Sequence, residues 1–311
     1  MEEYIIYTDQ LSKSYQNFQA VNQVSLRVKK GEIYGFLGLN GAGKTTTIRM
    51  LLGMIQPSSG SCFINGEKVS AGNHQLWKQV GYMVETPFAY PELTVRENLE
   101  VFRKLHQINS SAVTSVIERL NLTSFANKKA KHLSLGNAQR LGIAKALLHD
   151  PKVLLLDEPT NGLDPSGIVE IRELLLELAN KGTTVFISSH ILGEIAKIAT
   201  KIGIIHHGRL IQELTKKQLE QNRNTKLMVN TRDRKNTVSF LNSLGYMVRE
   251  NEEEAMEIID TEAIKKPDEL VSKLVYANYS PTMVLVEEED LETYFLRVIG
   301  ENGGNVNEAI H

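Results

Sequence analysis

Hydrophobic and polar positions follow two different periods along this chain, and the changes between them mark its organisation. The opening segment reads as β structure: Tyr4-Ile5-Ile6-Tyr7 and the alternating Val24-Ser25-Leu26-Arg27-Val28 flank a polar turn. The apolar run Ile33-Tyr34-Gly35-Phe36-Leu37 predicts a short buried strand, and Thr46-Thr47-Ile48-Arg49-Met50-Leu51-Leu52 predicts a helix. Short strands and turns follow, broken by Pro57-Ser58-Ser59-Gly60 and Asn65-Gly66, with Val80-Gly81-Tyr82-Met83-Val84 as a further strand. Residues 94–149 take helical spacing. There Thr94 and Glu97 form a capping box ahead of Val95, and Ser111–Leu120 and Ala138–Leu148 repeat apolar positions three and four apart. Val153-Leu154-Leu155-Leu156 is a continuous apolar run, as in a central parallel strand. Helix 166–180, strand 183–188, helix 190–199 and strand 202–206 then alternate, which predicts an α/β core.

The character changes after Leu210. Residues 215–222 predict a short helix and 221–225 a linker. Strand 226–231, helix 235–244, strands 246–250 and 255–260, helix 267–278 and strand 282–287 then give a β-α-β-β-α-β order, the ferredoxin-like arrangement. A terminal helix from Glu289 to Ile299 precedes a Gly/Asn-rich tail expected to fray. The expected domains are residues 1–220, a C-terminal accessory α+β domain at 225–290, and a terminal helix and tail at 291–311.

Composition narrows the class. The 311 residues are 41% hydrophobic and 23% charged, those of a soluble globular protein. A formal net charge of −2 offers no global attraction for nucleic acid. The single cysteine, Cys62, excludes an internal disulfide and reads as a small core residue. No apolar run approaches the roughly 20 residues needed to span a bilayer, and Met1-Glu2-Glu3 lacks the positive start of a signal peptide. Membrane association is therefore expected only through a partner. The acidic runs Glu252-Glu253-Glu254 and Glu287-Glu288-Glu289-Asp290 read as solvated faces.

The candidate chemistry begins between the strand at 33–37 and the helix that follows. Gly38-Leu39-Asn40-Gly41-Ala42-Gly43-Lys44-Thr45 fits G-x-x-x-x-G-K-[ST]. Glycines let successive backbone N–H groups turn inward as an anion cradle, and the helix N-terminus adds positive dipole there. Lys44 can reach β- and γ-phosphates, and the Thr45 hydroxyl suits Mg2+. The strand at 153–156 ends in Asp157-Glu158. A carboxylate at a strand tip beside a phosphate loop is where Mg2+ needs a ligand, which points to Asp157. Glu158, one residue on, would face the γ-phosphate and act as general base on the attacking water. Asn127-Lys128-Lys129-Ala130 lacks the acid of a guanine-reading motif, which disfavours a GTPase.

Five further segments stand in order around these two. Leu133-Ser134-Leu135-Gly136-Asn137-Ala138-Gln139-Arg140 resembles the signature motif of ATP-binding-cassette (ABC) ATPases. Asn161-Gly162-Leu163-Asp164-Pro165 resembles their D-loop, and Ser188-Ser189-His190 their switch-histidine segment. Gly81-Tyr82-Met83-Val84-Glu85, with Leu93–Leu99 behind it, resembles the Q-loop region, and Tyr15 the aromatic that stacks on adenine. The chain departs from the family at Glu85, where glutamine is usual, at Leu135 (glycine) and at Asn137 (glutamine). Together with the extended C-terminal part, these features look like the ATPase subunits of bacterial drug and antimicrobial-peptide exporters, the bacitracin- and lantibiotic-resistance type.

The resemblance implies a RecA-like core, an antiparallel β subdomain and a helical subdomain, with ATP and Mg2+ as cofactors. Tyr15 would stack on adenine, and residues 38–45 with Thr46 would surround the phosphates. Thr45, Asp157 and, through water, Glu85 would serve the metal. Glu158, His190 and Glu85 would be catalytic, His190 by bonding the γ-phosphate. Ser134, Gly136 and Asn137 would close over ATP held by a partner subunit, with Asp164 linking the two sites. The expected partners are a second copy or a related ATPase, and an integral membrane permease, with no nucleic acid. Such a chain would be cytoplasmic, peripheral on the inner face of the cell membrane. Phe88, Tyr90 and Leu93 are candidates for seating a permease helix; core packing is the competing reading. A non-transport ATPase acting on ribosomes or DNA is disfavoured by the single cassette and the lack of a heptad insert or basic stripe. A regulatory role for residues 225–290 is a third reading.

Overall fold

The computed structural model describes residues 4–85, 87–250 and 255–302. Met1–Glu3, the run Glu252–Glu254 and the tail from residue 303 lie outside the described residues. The chain divides into two compact units, one ending at Lys217 and one beginning at Gln218. In the first, the order is β1 (Tyr4–Tyr15), β2 (Phe18–Val24), β3 (Arg27–Lys29), β4 (Ile33–Leu37), α1 (Lys44–Leu51), β5 (Ser59–Ile64), β6 (Glu67–Lys68), α2 (His74–Trp77) and β7 (Val80–Met83). It continues with α3 (Val95–His106), α4 (Ser111–Arg119), α5 (Leu135–Leu147), β8 (Val153–Asp157), α6 (Pro165–Asn180), β9 (Thr184–Ser189), α7 (Leu192–Ile195), β10 (Lys201–His206) and β11 (Arg209–Thr215).

Six strands form one sheet in the order β11-β10-β4-β9-β8-β7, parallel except between β10 and β11. β4, β8 and β9 are buried along their whole length, which is why they read as unbroken apolar runs. Register pairs Leu37 with Ser189 and Asp157 with Ser188. The carboxyl ends of β4, β8 and β9 therefore meet at one edge, and the loops that leave them share one place. Strands β2-β1-β5-β6, with β3 on β1, make a second, antiparallel sheet. Leu155, at the centre of β8, has no exposed surface and lies in the main core. Leu155→Ala is expected to cost about 2–5 kcal/mol, read from denaturant unfolding; a cost within error of zero would place β8 outside that core.

Three differences from the sequence reading have physical causes. The expected polar turn after Tyr7 is strand: β1 continues to Tyr15 and returns through β2, with Leu11, Ala20, Val21 and Val24 supplying the buried face. Two register shifts between Leu11 and Ser14 break the strict alternation that would have revealed it. The helix expected at 190–199 is the single turn α7, with Gly193 inside it, followed by turns to Ala199. Finally, β11 pairs with β10 where no strand was expected, its residues exposed or half-exposed apart from Leu214.

In the second unit, which α8 (Lys216–Asn222) enters, come β12 (Thr225–Thr231), α9 (Arg234–Ser243), β13 (Val248–Glu250), β14 (Met256–Ile258), α10 (Thr261–Lys265), α11 (Pro267–Tyr276), β15 (Pro281–Glu288) and α12 (Leu291–Glu301). Its sheet has the order β13-β14-β12-β15, antiparallel throughout. Leu227, Val229, Leu241, Met256, Ile258, Leu270 and Leu274 form its core. α10, capped by Asp260 on the Ala263 N–H, was not foreseen. Within the expected linker, the Arg223 guanidinium donates to the Glu289 carbonyl and pairs with Glu288 at 2.9 Å. The acidic run before α12 is a chain of ion pairs rather than a purely solvated face. Glu287 pairs with Lys226 and Glu289 with Arg297, while Asp290 caps α12.

Candidate active site

The loop after β4 is shaped by backbone that only glycine tolerates well. Gly41 has φ 78° and Gly43, which caps α1, has φ 107°. A Cβ on Gly43 would lie 2.5 Å from the Ala20 carbonyl oxygen. Asn40 and Gly41 form an exposed rim, Leu39 is half-buried, and Gly38, Ala42 and Gly43 are buried walls. The first turn of α1 carries no acid, so its free N–H groups and dipole present positive potential to the loop.

Lys44 is buried. Its ammonium donates to the carbonyls of Gly38 at 2.6 Å and Leu39 at 3.2 Å, and stands 3.4 Å from Glu158 Oε1. Thr45 Oγ1 donates to Asp157 Oδ2 at 2.7 Å, and Ser188 Oγ donates to Asp157 Oδ1 at 2.5 Å. Glu158 adopts φ 49°, costly for a non-glycine residue and held by its surroundings: its N–H donates to the Ser188 carbonyl at 3.2 Å. Its Oε2 bonds His190 Nδ1 at 2.9 Å. Its Oε1 is buried without a hydrogen bond; Lys44 attracts it as a charge only. An acceptor in that condition has a lone pair to offer a water.

The residues present fit a magnesium-bound polyphosphate. A hydroxyl and a carboxylate at hydrogen-bonding distance are hard oxygen donors of the kind Mg2+ takes. Among the described residues, no group of three or more His, Cys, Asp or Glu could hold a metal alone. Mg2+ takes one or two protein oxygens and completes its shell with substrate phosphates and water.

A second cluster surrounds the start of α5. Ser134 caps that helix, its Oγ accepting from the Asn137 N–H at 3.3 Å. Leu135 lies against Gly162, and a Cβ on Gly136 would come 3.1 Å from the Gly162 carbonyl oxygen, so this helix end is seated on the loop after Glu158. Asp164 caps α6, accepting from the Gly167 N–H at 3.2 Å and the Ser166 hydroxyl at 2.7 Å. The Ser166 hydroxyl, then the Gly167 N–H, holds its carboxyl below the ordinary aspartate range.

One residue that sequence reasoning did not single out ties the clusters together. Gln139, only 3% exposed, donates to the Glu158 carbonyl at 3.0 Å. The signal was available: a glutamine beside the apolar face Leu141–Ala144 of a helix, where a buried amide needs a partner.

The structure thus brings Lys44, Thr45, Asp157, Glu158 and His190 into one bonded set and places Ser134, Gly136, Asn137 and Asp164 in the neighbouring one. Thr46 is half-buried in the first turn of α1. Tyr15 is exposed at the end of β1, with the Lys13 ammonium 5.1 Å from its ring. Glu85, at φ 57°, pairs with Arg49 of α1, which neutralises the charge that this residue adds.

Beside α5 lies a cavity of about 620 Å3, lined among others by Trp77, Tyr82, Phe88, Phe102, Lys145 and His149. Phe88 and Tyr90 are 68% and 43% exposed and meet edge to face at 5.4 Å, so core packing does not account for them; Leu93 is half-buried. Burial pushes the Lys145 ammonium down to about 8; it donates to the Phe88 carbonyl and stands 4.8 Å from the Phe102 ring.

Residues 21–161 match the ABC transporter family. The bacitracin transport ATP-binding protein BcrA of Bacillus licheniformis is 41% identical over 305 residues, 97% of this chain and 99% of that protein. BcrA of Enterococcus faecalis is 38% identical over 304 residues, 97% and 98% of the two chains. Among solved structures, the dimeric bacterial ABC transporter cassette MJ0796 superposes with a TM-score of 0.64 at 26% identity, covering 68% of this chain and 98% of that one. No described helix is long and apolar enough to cross a membrane. This chain belongs to the ATP-binding subunits of ABC transporters, ATPases whose hydrolysis is coupled to transport.

Proposed function

We propose that this protein binds Mg·ATP between the Gly38–Thr45 loop and the Asp157-Glu158 strand end, and that two copies, joined around ATP, drive export of a bacitracin-like peptide antibiotic through a separate membrane permease. The carrying observation is the convergence of Lys44, Thr45, Asp157, Glu158 and His190 at the joined ends of β4, β8 and β9. The cassette would be residues 1–220, with an accessory domain at 225–290 and a terminal helix and tail at 291–311. The site of action would be the inner face of the cell membrane, with no nucleic acid partner.

In this reading the loop N–H groups and Lys44 bind the phosphates, and Thr45 and Asp157 hold Mg2+. Mg2+ supplies neutralisation of charge on the phosphate oxygens. Glu158 Oε1 orients the attacking water and takes its proton, while His190 fixes the carboxylate from the other side. Ser134, Gly136 and Asn137 of one copy present the start of α5 to the ATP held by the other, and Asp164 stands at the junction. Glu85 would approach the metal through water, its own charge balanced by Arg49. Export rather than import, and the peptide class, rest on the BcrA relatives, which are bacitracin transport proteins.

Cells making this chain with its permease should tolerate more bacitracin than cells making the Glu158→Gln chain with the same permease. Equal sensitivity would remove the peptide assignment, whereas loss of Mg·ATP affinity in the purified protein would remove the site. Phe88 lines the cavity that would seat the permease, and Tyr90 meets the Phe88 ring edge to face. Phe88→Ala with Tyr90→Ala is expected to abolish co-purification with the permease while the isolated chain keeps its ATPase rate. Unchanged co-purification would count against that surface.

A further inference from the structure

Among the described residues, the second unit leaves its longest strand open on one side. There β15 lies at the end of the sheet order and pairs with β12 only. It carries Met283-Val284-Leu285-Val286 in unbroken succession, each 36–53% exposed. Edge strands of free-standing domains are blunted by lysine, proline, brevity or a bulge. From Met283 onward β15 has none of these: its register with β12 runs without a shift from Asn230↔Met283 to Thr225↔Glu288. The helix packed on it, α11, adds exposed Val275 and Tyr276, the latter 91% exposed. The open edge is therefore flanked by apolar side chains on both faces of the sheet.

Charge selects what this edge takes. The only charged residues of β15 are Glu287 and Glu288, already paired with Lys226 and Arg223. A basic segment would find both acids neutralised. A second β15 running antiparallel about a two-fold axis at Val284 or Leu285 sets apolar residues against apolar ones. It brings Glu287 opposite Pro281 or Met283 of the second copy, so the glutamates of the two strands stay apart. A parallel pairing in register would instead stack Glu287 on Glu287, which is unfavourable.

We propose that β15 pairs antiparallel with β15 of a second copy of this chain, joining two four-stranded sheets into one. Backbone groups of β15 that do not face β12 gain hydrogen bonds, and the apolar run loses water. This contact requires no ATP, which separates it from the nucleotide-dependent dimer proposed above.

Sedimentation velocity of the full chain without nucleotide, over a hundredfold range of concentration, tests it. A monomer–dimer equilibrium is expected, with Leu285→Lys raising the dimer dissociation constant at least about tenfold and leaving ATP binding unchanged. Val284→Lys should act alike. In the unsubstituted protein, β15 amides should exchange more slowly as concentration rises. A monomer across the range, or a dimer that both substitutions leave intact, overturns the proposal. So does β15 protection that arises only with the permease present, which would give the edge to a permease strand instead.

Discussion

Glu158→Gln is expected to lower ATP turnover by about 10²–10⁴-fold while leaving Mg·ATP affinity within a few-fold of the parent. Glutamine keeps the shape of the side chain and can still meet His190, but its amide takes no proton from water. The backbone around it is held independently of the carboxylate, by the Ser188 carbonyl on the N–H and Gln139 on the C=O, so the substitution removes chemistry rather than architecture. Phosphate release at saturating Mg·ATP, alongside equilibrium binding, separates the two effects. The variant should also accumulate as an ATP-bound dimer. Turnover at the parental rate would strip Glu158 of its role as base.

Lys44→Ala acts on the other half of the cycle and should raise the Kd for Mg·ATP by roughly 100-fold or more, about 3 kcal/mol, the scale of a charge-assisted hydrogen bond in a buried setting. Two of its three N–H donors already bridge the Gly38 and Leu39 carbonyls, which leaves the third for a phosphate oxygen. Glu158 Oε1, 3.4 Å from the ammonium, attracts it as a charge only. Phosphate oxygens compete for the same ammonium. As they draw Lys44 away, Glu158 Oε1 is left to the attacking water. The two variants should therefore differ in kind: one binds without turning over, the other fails to bind. Unchanged affinity in Lys44→Ala would mean that the cradle is misplaced.

How far the sequence carried this picture depended on how local each signal was. The phosphate loop and Asp157-Glu158 were legible because each sits at the end of a fully buried strand, where a continuous apolar run stops abruptly at polar residues. The Thr94–Glu97 capping box was legible for the same reason: its two bonds span three residues. What failed was long-range or masked. The register shifts in β1 hid its alternation, and β11, with only Leu214 buried, carries little apolar contrast. The pairing of Glu85 with Arg49 joins positions 36 apart, through the tertiary fold alone. That Glu85, standing where glutamine is usual, finds its counter-ion on α1 was therefore not legible.

The amide of Gln139 has a consequence for timing. It fastens the buried side of α5 to the peptide of Glu158, while the outer end of the same helix, at Ser134, is the part that the proposed dimer would offer to a neighbour's ATP. With two copies facing each other, whatever grips Ser134 from outside pulls through a single rigid rod on the hydrolytic centre within. Each subunit would thus learn the fate of the other's fuel, and the two halves of the engine would fire in step rather than independently.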